Sequence, residues 1–168
     1  MKEAIEGMAA TPATADAKIT ESEWPATTYF GKRASLEMKD VQPFLDKNLP
    51  AIYADLQKNK VEMVAPPSTI TWTWFGGNGK CDIAAAFKVA DGSKLAKGWE
   101  KFEFPASKVL SMDYYGSYEK IESGYLVLEK YSKEKNMTMR VAVEEYITDP
   151  IKEPDTTKWL TKIHYLLK

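Results

Sequence analysis

The two halves of the sequence repeat one order of predicted elements, which restricts the chain to a small number of folds. In the first half, strand-forming residues at 18–36 precede an amphipathic helix predicted from Asp40 to Lys60. Two strands follow at 69–75 and 81–90, joined by a hairpin turn at 76–79 that is rich in glycine. The first half therefore has the order strand, helix, strand, strand.

The second half repeats this order after a connecting segment. A strand is predicted at 108–115, and Ser117 caps a helix that continues to Asn136. Strands at 137–148 and 159–167 complete the second unit. We therefore predict an α+β fold in which duplicated β-α-β-β units form an antiparallel sheet. Two main helices would cover one face, and a ligand groove would occupy the other.

Prolines set the expected limits of the first elements. Pro25 interrupts the strand-forming segment at 18–36. Asp40 is predicted to cap the first helix, where Pro43 is tolerated in the first turn. Pro50 falls further along the helix and is predicted to kink it or split it in two.

The composition is that of one globular domain with a short extra segment at its start. Hydrophobic residues make up 44% of the 168 residues and charged residues 28%. Residues 1–17 end in small residues around a proline, so we predict a flexible tail or linker there and a single domain over 18–168. A linker at this position suggests a further domain upstream in the natural gene.

Charge and cysteine content indicate the compartment and the partners. The chain has 23 basic and 24 acidic residues, so it offers no basic face for nucleic acid, and we expect no direct nucleic-acid binding. One cysteine and no apolar leader within residues 1–10 predict a cytoplasmic protein. No apolar run is long enough to cross a bilayer, so no membrane partner is expected.

We expect no metal and no cofactor. Cys81 and His164 are the only cysteine and histidine, which is too few for a familiar zinc site. The glycines at 76–79 lack the strand-to-helix context of a phosphate loop. Cys81 is interpreted as a small structural residue and His164 as a surface or edge histidine, with a Cys81–His164 dyad left open.

Several short motifs occur in an informative order. Val-Glu-Glu-Tyr-Ile-Thr-Asp-Pro at 143–150 is followed by Trp-Leu-Thr-Lys-Ile at 159–163. Cys-Asp-Ile at 81–83 and Tyr-Gly-Ser-Tyr-Glu at 115–119 precede them. Together these motifs resemble the gyrase-inhibitor-like family, which supplies the effector-binding domains of many AraC-type and multidrug-sensing transcription regulators. The resemblance covers residues 19–168.

The resemblance implies a pseudo-twofold pair of units with a ligand groove between them, and it places Glu144 in that groove. In family members the equivalent acidic residue engages cationic or polar parts of ligands, and in some it assists hydrolysis of electrophilic compounds. Two departures from the family pattern remove negative charge. Ala84 replaces a common acidic residue, and Lys162 replaces a Glu. These departures argue against a purely cationic ligand preference.

The alternation of side chains along 137–148 assigns its residues to two faces. We expect the more apolar face to pack under the helices, which leaves Glu144 and Tyr146 facing the groove. The alternative is that Glu144 is a solvated carboxylate on an open face. The apolar face consists of Met139, Val141, Val143 and Ile147.

Aromatic residues on other strands are candidate ligand contacts. Trp72 and Trp74 are predicted to share a strand face and to form a flat wall that stacks a planar or cationic ligand, unless they pack in the core. Tyr29, Tyr114 and Tyr115 complete the predicted ligand-binding set. One of the adjacent pair, Tyr114 and Tyr115, is expected to face the groove and the other the core.

Three functions remain open for such a domain. The first is binding of a hydrophobic or amphipathic effector- or drug-like molecule, oriented by Glu144 and the Tyr146 hydroxyl, in a sensor or sequestration module. The second is an enzyme in which Glu144 acts as general base to hydrolyse a reactive compound. The third is a protein-interaction module that inhibits a partner enzyme. A formed pocket around Glu144 would count against the third, and turnover would separate the first two.

Overall fold

A computed structural model describes residues 18–74 and 78–168. The strands are β1 (Thr20–Trp24), β2 (Thr27–Leu36), β3 (Ser68–Thr73), β4 (Cys81–Val89), β5 (Glu100–Phe104), β6 (Ser107–Tyr115), β7 (Met139–Tyr146) and β8 (Leu160–Leu167). The helices are α1 (Met38–Lys58) and α2 (Glu122–Glu134), and two short 3-10 turns are Tyr118–Lys120 and Thr156–Lys158. The predicted tail at 1–17 and the start of the predicted hairpin turn, within 75–77, lie outside the described residues.

The strands belong to one antiparallel sheet in the order β1-β6-β8-β7-β3-β4-β2-β5. One β-α-β-β unit consists of β2, α1, β3 and β4, and the other consists of β6, α2, β7 and β8. In the sheet the units contribute β6-β8-β7 and β3-β4-β2, so equivalent strands are related across the central β7–β3 pair. The predicted α+β fold of duplicated units in an antiparallel sheet is confirmed.

The edge strands β1 and β5 are exchanged between the two units. β1 precedes the first unit in the chain but pairs with β6 of the second, and β5 precedes the second unit but pairs with β2 of the first. The sequence predicted one interrupted strand at 18–36 and no strand at 100–104. Pro25 in fact separates two strands with different partners, because a residue that cannot donate a hydrogen bond ends the first ladder.

Both helices lie on the same side of the sheet, as predicted. Residues directly paired across antiparallel strands point to the same face. The register places Ala85 of β4, Thr69 of β3 and Glu144 of β7 on one face. α1 packs against β4 on this face, and Tyr125 of α2 contacts Glu144 there. We call this face the helix side and the opposite face the helix-free side.

Short connections make the sheet curl towards its helix-free side. Only Pro25 and Ala26 join β1, at one edge, to β2, beside the other edge. A two-residue link of the same kind joins β5 to β6. Three peptide units span at most about 11 Å, so the two edges approach each other at this end. Across the curl, Lys88 of β4 places its Nζ atom 5.1 Å from the ring centroid of Trp24 on β1.

Hydrophobic cores fill both faces of the curled sheet. α1 covers one core on β2 and β4, and α2 covers a second on β6, β7 and β8. Because the curl encloses its own inner face, that face is buried without a covering helix. The core inside the curl contains Trp24, Tyr29, Ile70, Ala84, Ala86, Phe102, Phe104, Val109, Val141, Val143 and Leu166.

The first helix departs from its prediction in two respects. α1 begins at Met38, two residues before the predicted cap Asp40. It then continues through Pro43 and Pro50 as one helix, so the predicted split does not occur. Packing of its buried apolar stripe against the sheet compensates for the backbone hydrogen bond that Pro50 cannot donate.

Gly31 of β2 offers a test of how closely the curled strands approach. A Cβ atom at Gly31 would overlap the carbonyl oxygen of Ala85 and lie 2.8 Å from the Cα atom of Ala86. Since these neighbours are backbone atoms, Gly31→Ala should destabilise the fold by about 1–3 kcal/mol. The thermal midpoint should fall by about 2–4 °C for each kcal/mol. Thermal unfolding followed by circular dichroism checks this, with exposed Ser35→Ala on the same strand as the control. Equal midpoints for the two variants would contradict the close approach.

Candidate functional site

Glu144 lies at the centre of the sheet, between the two helices. It occupies β7, pairs with Thr69 of β3 and with Ile163 of β8, and points to the helix side. α1 packs over one half of this face and α2 over the other, so Glu144 is positioned where the two units meet. Only 6% of the residue is exposed.

Tyrosine hydroxyls bind the Glu144 carboxylate. Tyr125 of α2 donates a hydrogen bond to Oε2, and Tyr146 donates to Oε1 at 2.9 Å. The Tyr146 hydroxyl also lies 2.6 Å from Oγ1 of Thr69. The carboxylate is therefore held by one helix, by its own strand and, through Tyr146, by the neighbouring strand.

Aromatic rings enclose this group, which we call the central site. The Trp74 ring packs on Tyr125 with centroids 5.2 Å apart, and the Tyr118 ring packs on Tyr146 at 5.4 Å. Trp74 contacts both helix-side cores and thus lies between the two units. Tyr118 belongs to the 3-10 turn that precedes α2, where the sequence had predicted the start of the helix at Ser117.

The electrostatics of the central site are unusual for a buried carboxylate. No lysine or arginine of the described part of the chain pairs with Glu144. Burial raises the pKa of Glu144, and the hydrogen bonds from Tyr125 and Tyr146 offset only part of this rise. Burial and the Glu144 charge raise the pKa of both tyrosines well above the ordinary value, so both hydroxyls remain protonated donors.

Three polar atoms around this carboxylate lack partners. Thr71 is next to Thr69 on the same face of β3, and Thr161 of β8 pairs with Tyr146; the Oγ1 atoms of both are buried without a hydrogen bond. Nε1 of Trp74 is also buried without a partner among the described residues. Buried polar groups are normally satisfied, so the grouping of these three atoms around an uncompensated carboxylate is unusual.

The placement of Glu144 and Tyr146 on the face away from the helices is wrong. The prediction assumed that the more apolar side of β7, with Val141 and Val143, packs under the helices. Those two valines instead fill the inside of the curl, while Ala142 and Glu144 face α2. Because the curl buries both sides of the sheet, relative hydrophobicity does not identify the side that the helices cover.

Trp72 and Trp74 do not share a face, contrary to the prediction. Trp72 lies on the helix-free side, where its ring is 5.4 Å from that of Phe102 and 3.7 Å from the guanidinium carbon of Arg33. Trp74 turns to the helix side because the pairing of β3 with β4 shifts register between Thr71 and Thr73. Such a bulge reverses the alternation of side chains beyond it.

The predicted tyrosines are dispersed. Tyr29 is fully buried on the helix-free side. Tyr114 lies on the helix side under α2 and donates a hydrogen bond to the Ser117 carbonyl at 2.8 Å, and burial raises its pKa to about 12. Tyr115 points away and is 44% exposed. The structure thus brings Trp74 and Tyr146 to Glu144 but leaves Trp72, Tyr29, Tyr114 and Tyr115 outside the central site.

Sequence reasoning missed Tyr125 as a functional residue. In the sequence it is one of the apolar positions at helical spacing, with Tyr118, Ile121 and Leu128, in the predicted helix at 117–136. A tyrosine in such a stripe, facing a strand with an acidic residue, is a usable signal, because a buried hydroxyl needs a partner. The signal was lost when Glu144 was assigned to the other face. Thr69 and Thr71 were missed for the same reason.

The single histidine and cysteine are on opposite faces. His164 is buried on the helix-free side rather than at the surface, and Cys81 is buried on the helix side against α1. This separation excludes the Cys81–His164 dyad. Among the described residues, no group of three His, Cys, Asp or Glu side chains could hold a metal ion. No helix within the described ranges is long and apolar enough to span a membrane.

An open depression of about 750 Å³ lies away from the central site. It is at the end of the sheet near Lys108, Arg140 and Lys168. Its lining does not include Glu144 or the aromatic residues around it. The depression and the uncompensated carboxylate therefore lie in different parts of the protein.

A duplicated α+β domain with a buried acid among aromatic rings at the junction of its units belongs to a class of small-molecule-binding domains. The family model described as GyrI-like small molecule binding domain matches residues 17–167, and the chain belongs to this family. The predicted family is thereby confirmed. Comparison with curated proteins gives no match.

Solved structures share the fold. The EcmrR C-terminal domain has a TM-score of 0.76 and 16% identity, covering 91% of this chain and 98% of that one. EcmrR in its complex with DNA has a TM-score of 0.78 and 16% identity, and the match covers 99% of this chain. This chain spans only 62% of the EcmrR chain. SAV2435 bound to tetraphenylphosphonium has a TM-score of 0.69 and 16% identity, and the match covers 90% of this chain and 94% of SAV2435. A hydrolase from Listeria innocua has a TM-score of 0.58 and 10% identity, and the match covers 99% of this chain and 98% of the hydrolase.

The raised pKa of Glu144 has a consequence for stability. The folded pKa lies above the ordinary value of 4.5, so the folded state binds a proton more tightly than the unfolded chain. The resulting stability is present below the unfolded pKa and is lost as the pH rises through the folded pKa. Glu144→Gln mimics the protonated acid and should not show this loss.

Urea unfolding of both proteins at pH values from about 4.5 to about 7.5 measures the effect. The free energy of unfolding of the wild type, minus that of Glu144→Gln, should fall as the pH rises. All other titrating groups are common to both proteins and cancel in the difference. A difference that stays constant with pH would show that Glu144 titrates normally.

Proposed function

We propose that the chain binds a hydrophobic or amphipathic small molecule at the central site and acts as a sensor or sequestration module. Glu144 and the Tyr146 hydroxyl would orient the ligand, and Trp74 and Tyr118 would contact its apolar part. The observation that carries this proposal is the Glu144 carboxylate, buried without a cationic partner and held by two tyrosine hydroxyls.

A carboxylate in this environment reduces the stability of the fold, which argues for a functional role. Burial of an ionisable group without an opposite charge is unfavourable, and such groups concentrate at functional sites. A glutamine or leucine at position 144 would remove the penalty. The unpartnered atoms of Thr71 and Trp74 beside it add to the same argument.

The central site fits a lipophilic cation or a hydrogen-bond donor. A ligand cation would supply the charge that Glu144 lacks, and the surrounding rings favour an aromatic cation. The relative SAV2435 was solved with tetraphenylphosphonium, a ligand of this class. Ala84 and Lys162, which seemed to argue against cations, lie on the helix-free side and do not face Glu144. These two departures from the family pattern are therefore no objection to a cationic ligand.

Ligand entry requires a side chain to move, because the rings close over Glu144. The side chains that could move to admit a ligand are Trp74, which follows the end of β3, and Tyr118, in the 3-10 turn before α2. Both lie at element ends rather than within a helix or strand. Such positions open at lower free energy than regular structure. Binding would then change the position of α2 relative to α1, which is the kind of change that a sensor transmits.

Tetraphenylphosphonium is a suitable probe for the charge of the site. Glu144→Gln should weaken its binding about tenfold or more, because a contact with a charged group is worth about 1.5–3 kcal/mol. Binding of the neutral, similarly shaped triphenylphosphine oxide should change much less. Isothermal titration calorimetry measures both affinities.

Two further variants complete this experiment. Glu103→Gln removes an exposed carboxylate of β5 and should leave both affinities unchanged. Trp74→Ala should weaken both probes, because it removes a ring and not a charge. Thermal unfolding confirms that each variant is folded. Equal affinity of wild type and Glu144→Gln for tetraphenylphosphonium would exclude Glu144 as the ligand carboxylate.

Hydrolysis of a reactive compound is the second candidate, and the raised pKa of Glu144 favours it. A general base works best when its pKa lies near the operating pH, and burial moves Glu144 in that direction. A structural relative is a hydrolase from Listeria innocua. Product formed from a bound electrophile by the wild type and not by Glu144→Gln would support this function over simple binding.

Direct DNA binding by this chain is not part of the proposal. The chain carries 23 basic and 24 acidic residues, and specific DNA binding relies on phosphate contacts from clustered Lys and Arg. We therefore expect no shift of duplex DNA by the isolated chain in an electrophoretic assay at physiological salt. Micromolar binding that weakens steeply with added salt would reveal a basic surface and contradict this expectation. A cytoplasmic location remains a prediction from the sequence.

A further inference from the structure

A second polar cluster lies on the helix-free side of the sheet, opposite the central site. Ser111 of β6, His164 of β8 and Glu145 of β7 are on three adjacent strands. Oγ of Ser111 lies 2.7 Å from Nδ1 of His164, and Nε2 of His164 lies 2.7 Å from Oε1 of Glu145. A serine, a histidine and a carboxylate thus form one continuous chain of hydrogen bonds.

The direction of these hydrogen bonds follows from the charge of Glu145. Burial alone would raise its pKa, but the hydrogen bond from His164 and the charges of His164, Lys88 and Lys162 outweigh burial and lower the pKa. An ionised carboxylate only accepts hydrogen bonds, so Nε2 of His164 carries a proton. In the neutral imidazole Nδ1 is then an acceptor, and the Ser111 hydroxyl donates to it.

The surroundings hold this arrangement in place. The Trp24 ring packs on the His164 ring, with centroids 4.8 Å apart. The side chains of His164 and Glu145 are only 9% and 13% exposed, so water competes weakly for their hydrogen bonds. Ser111 is half-buried and pairs with Thr20, the first residue of the short edge strand β1. The serine therefore lies at the margin of the curl, where a small molecule can reach it.

Donors for a developing negative charge are present on the same face. The hydroxyl of Tyr29 is buried inside the curl without a hydrogen-bond partner among the described residues. Burial, and after it the Glu145 charge, raises the pKa of Tyr29, so this hydroxyl stays a neutral donor, and the Lys88 charge acts on Glu145 in turn. An unpartnered buried hydroxyl beside an ordered Ser–His–Glu chain is an uncommon combination in a purely structural core.

We propose that Ser111, His164 and Glu145 form a second functional site, in which Ser111 is an activated nucleophile for small acyl esters. The roles match the general requirements for such catalysis: a nucleophile bonded to a base, and a base oriented by a third group. The site is independent of Glu144, which points to the other face of the same strand.

Each step of the reaction can be assigned to these residues. The Ser111 oxygen attacks the ester carbonyl carbon while its proton passes to Nδ1 of His164, and Glu145 stabilises the resulting imidazolium. The ester C–O bond then breaks, and the leaving oxygen takes the proton from Nδ1 and departs as an alcohol. A water molecule, deprotonated by the same nitrogen, hydrolyses the acyl-serine to the carboxylic acid and restores the Ser111 hydroxyl.

A fluorophosphonate probe tests the nucleophile directly, because it loses fluoride to an activated serine and leaves a stable adduct. We expect one adduct per folded chain, located on Ser111 by peptide mass spectrometry. Ser111→Ala should abolish labelling. His164→Gln should slow it about a hundredfold or more, the usual contribution of a general base. p-Nitrophenyl acetate should give an acyl adduct on the same serine.

Controls separate this site from adventitious reactivity and from the ligand site. Ser22→Ala removes an exposed serine of β1 and should label at the wild-type rate. Ser111 and Glu144 point to opposite faces of the sheet, and the labelling and ligand-binding experiments share no variant, so failure of either proposal leaves the other standing. Wild-type protein that stays unlabelled while folded would overturn the inference. A labelling rate that His164→Gln leaves unchanged, in a variant shown to be folded by circular dichroism, would overturn it as well.

Discussion

The exchange of edge strands between the two units is the constraint on which the rest of this structure depends. β1 precedes the first unit in the chain but pairs with the second, and β5 precedes the second unit but pairs with the first. Only two residues join each of these strands to the next strand in the chain, which lies at the other side of the sheet. These links are too short to allow a flat eight-stranded sheet, whose edges would be about 34 Å apart at the usual strand spacing. The sheet must curl, and the curl buries its inner face without a second layer.

Burial of both faces explains why two neighbouring glutamates of β7 behave differently. Side chains alternate along a strand, so Glu144 enters the helix-side core and Glu145 enters the curl. Burial and the absence of a cationic partner raise the pKa of Glu144, whereas His164, Lys88 and Lys162 together lower the pKa of Glu145. The two carboxylates of one strand therefore have pKa shifts of opposite sign, because each enters a different buried environment.

Features of this structure that depend on local sequence could be predicted, whereas features that depend on contacts between distant segments could not. The repeated pattern of strand and helix was sufficient for the duplicated fold, because local periodicity determines element type and order. The motifs at 81–83, 115–119, 143–150 and 159–163, taken together in their order, were sufficient for the family. The exchanged edges were not predictable, since strand partners are chosen by tertiary contacts, and β5 is a strand of only five residues, three of them charged.

The error in assigning faces follows from the same limit. Hydrophobicity distinguishes a buried face from a solvated one, but it cannot rank two buried faces. Val141 and Val143 therefore suggested the wrong side for the helices, and Tyr125 and Thr71 went unnoticed as neighbours of Glu144. Trp74 was misplaced for a different reason. A register shift at Thr73 depends on pairing with β4, which strand periodicity does not contain.

If a cation binds at the central site as proposed, its binding is coupled to the ionisation of Glu144. In the ligand-free protein the carboxylate is disfavoured because burial is compensated only by the neutral hydroxyls of Tyr125 and Tyr146. A bound cation would favour the ionised form and lower the pKa of Glu144. By linkage, a lower pH would then weaken cation binding, and binding would release a proton. The tyrosines can bond to either form of the acid, since a hydroxyl donates to a carboxylate and accepts from a carboxylic acid. Under the proposed function, Glu144 keeps both tyrosine hydrogen bonds without a ligand and gains a charge partner with one, and a reversible small-molecule sensor would require such a difference in free energy.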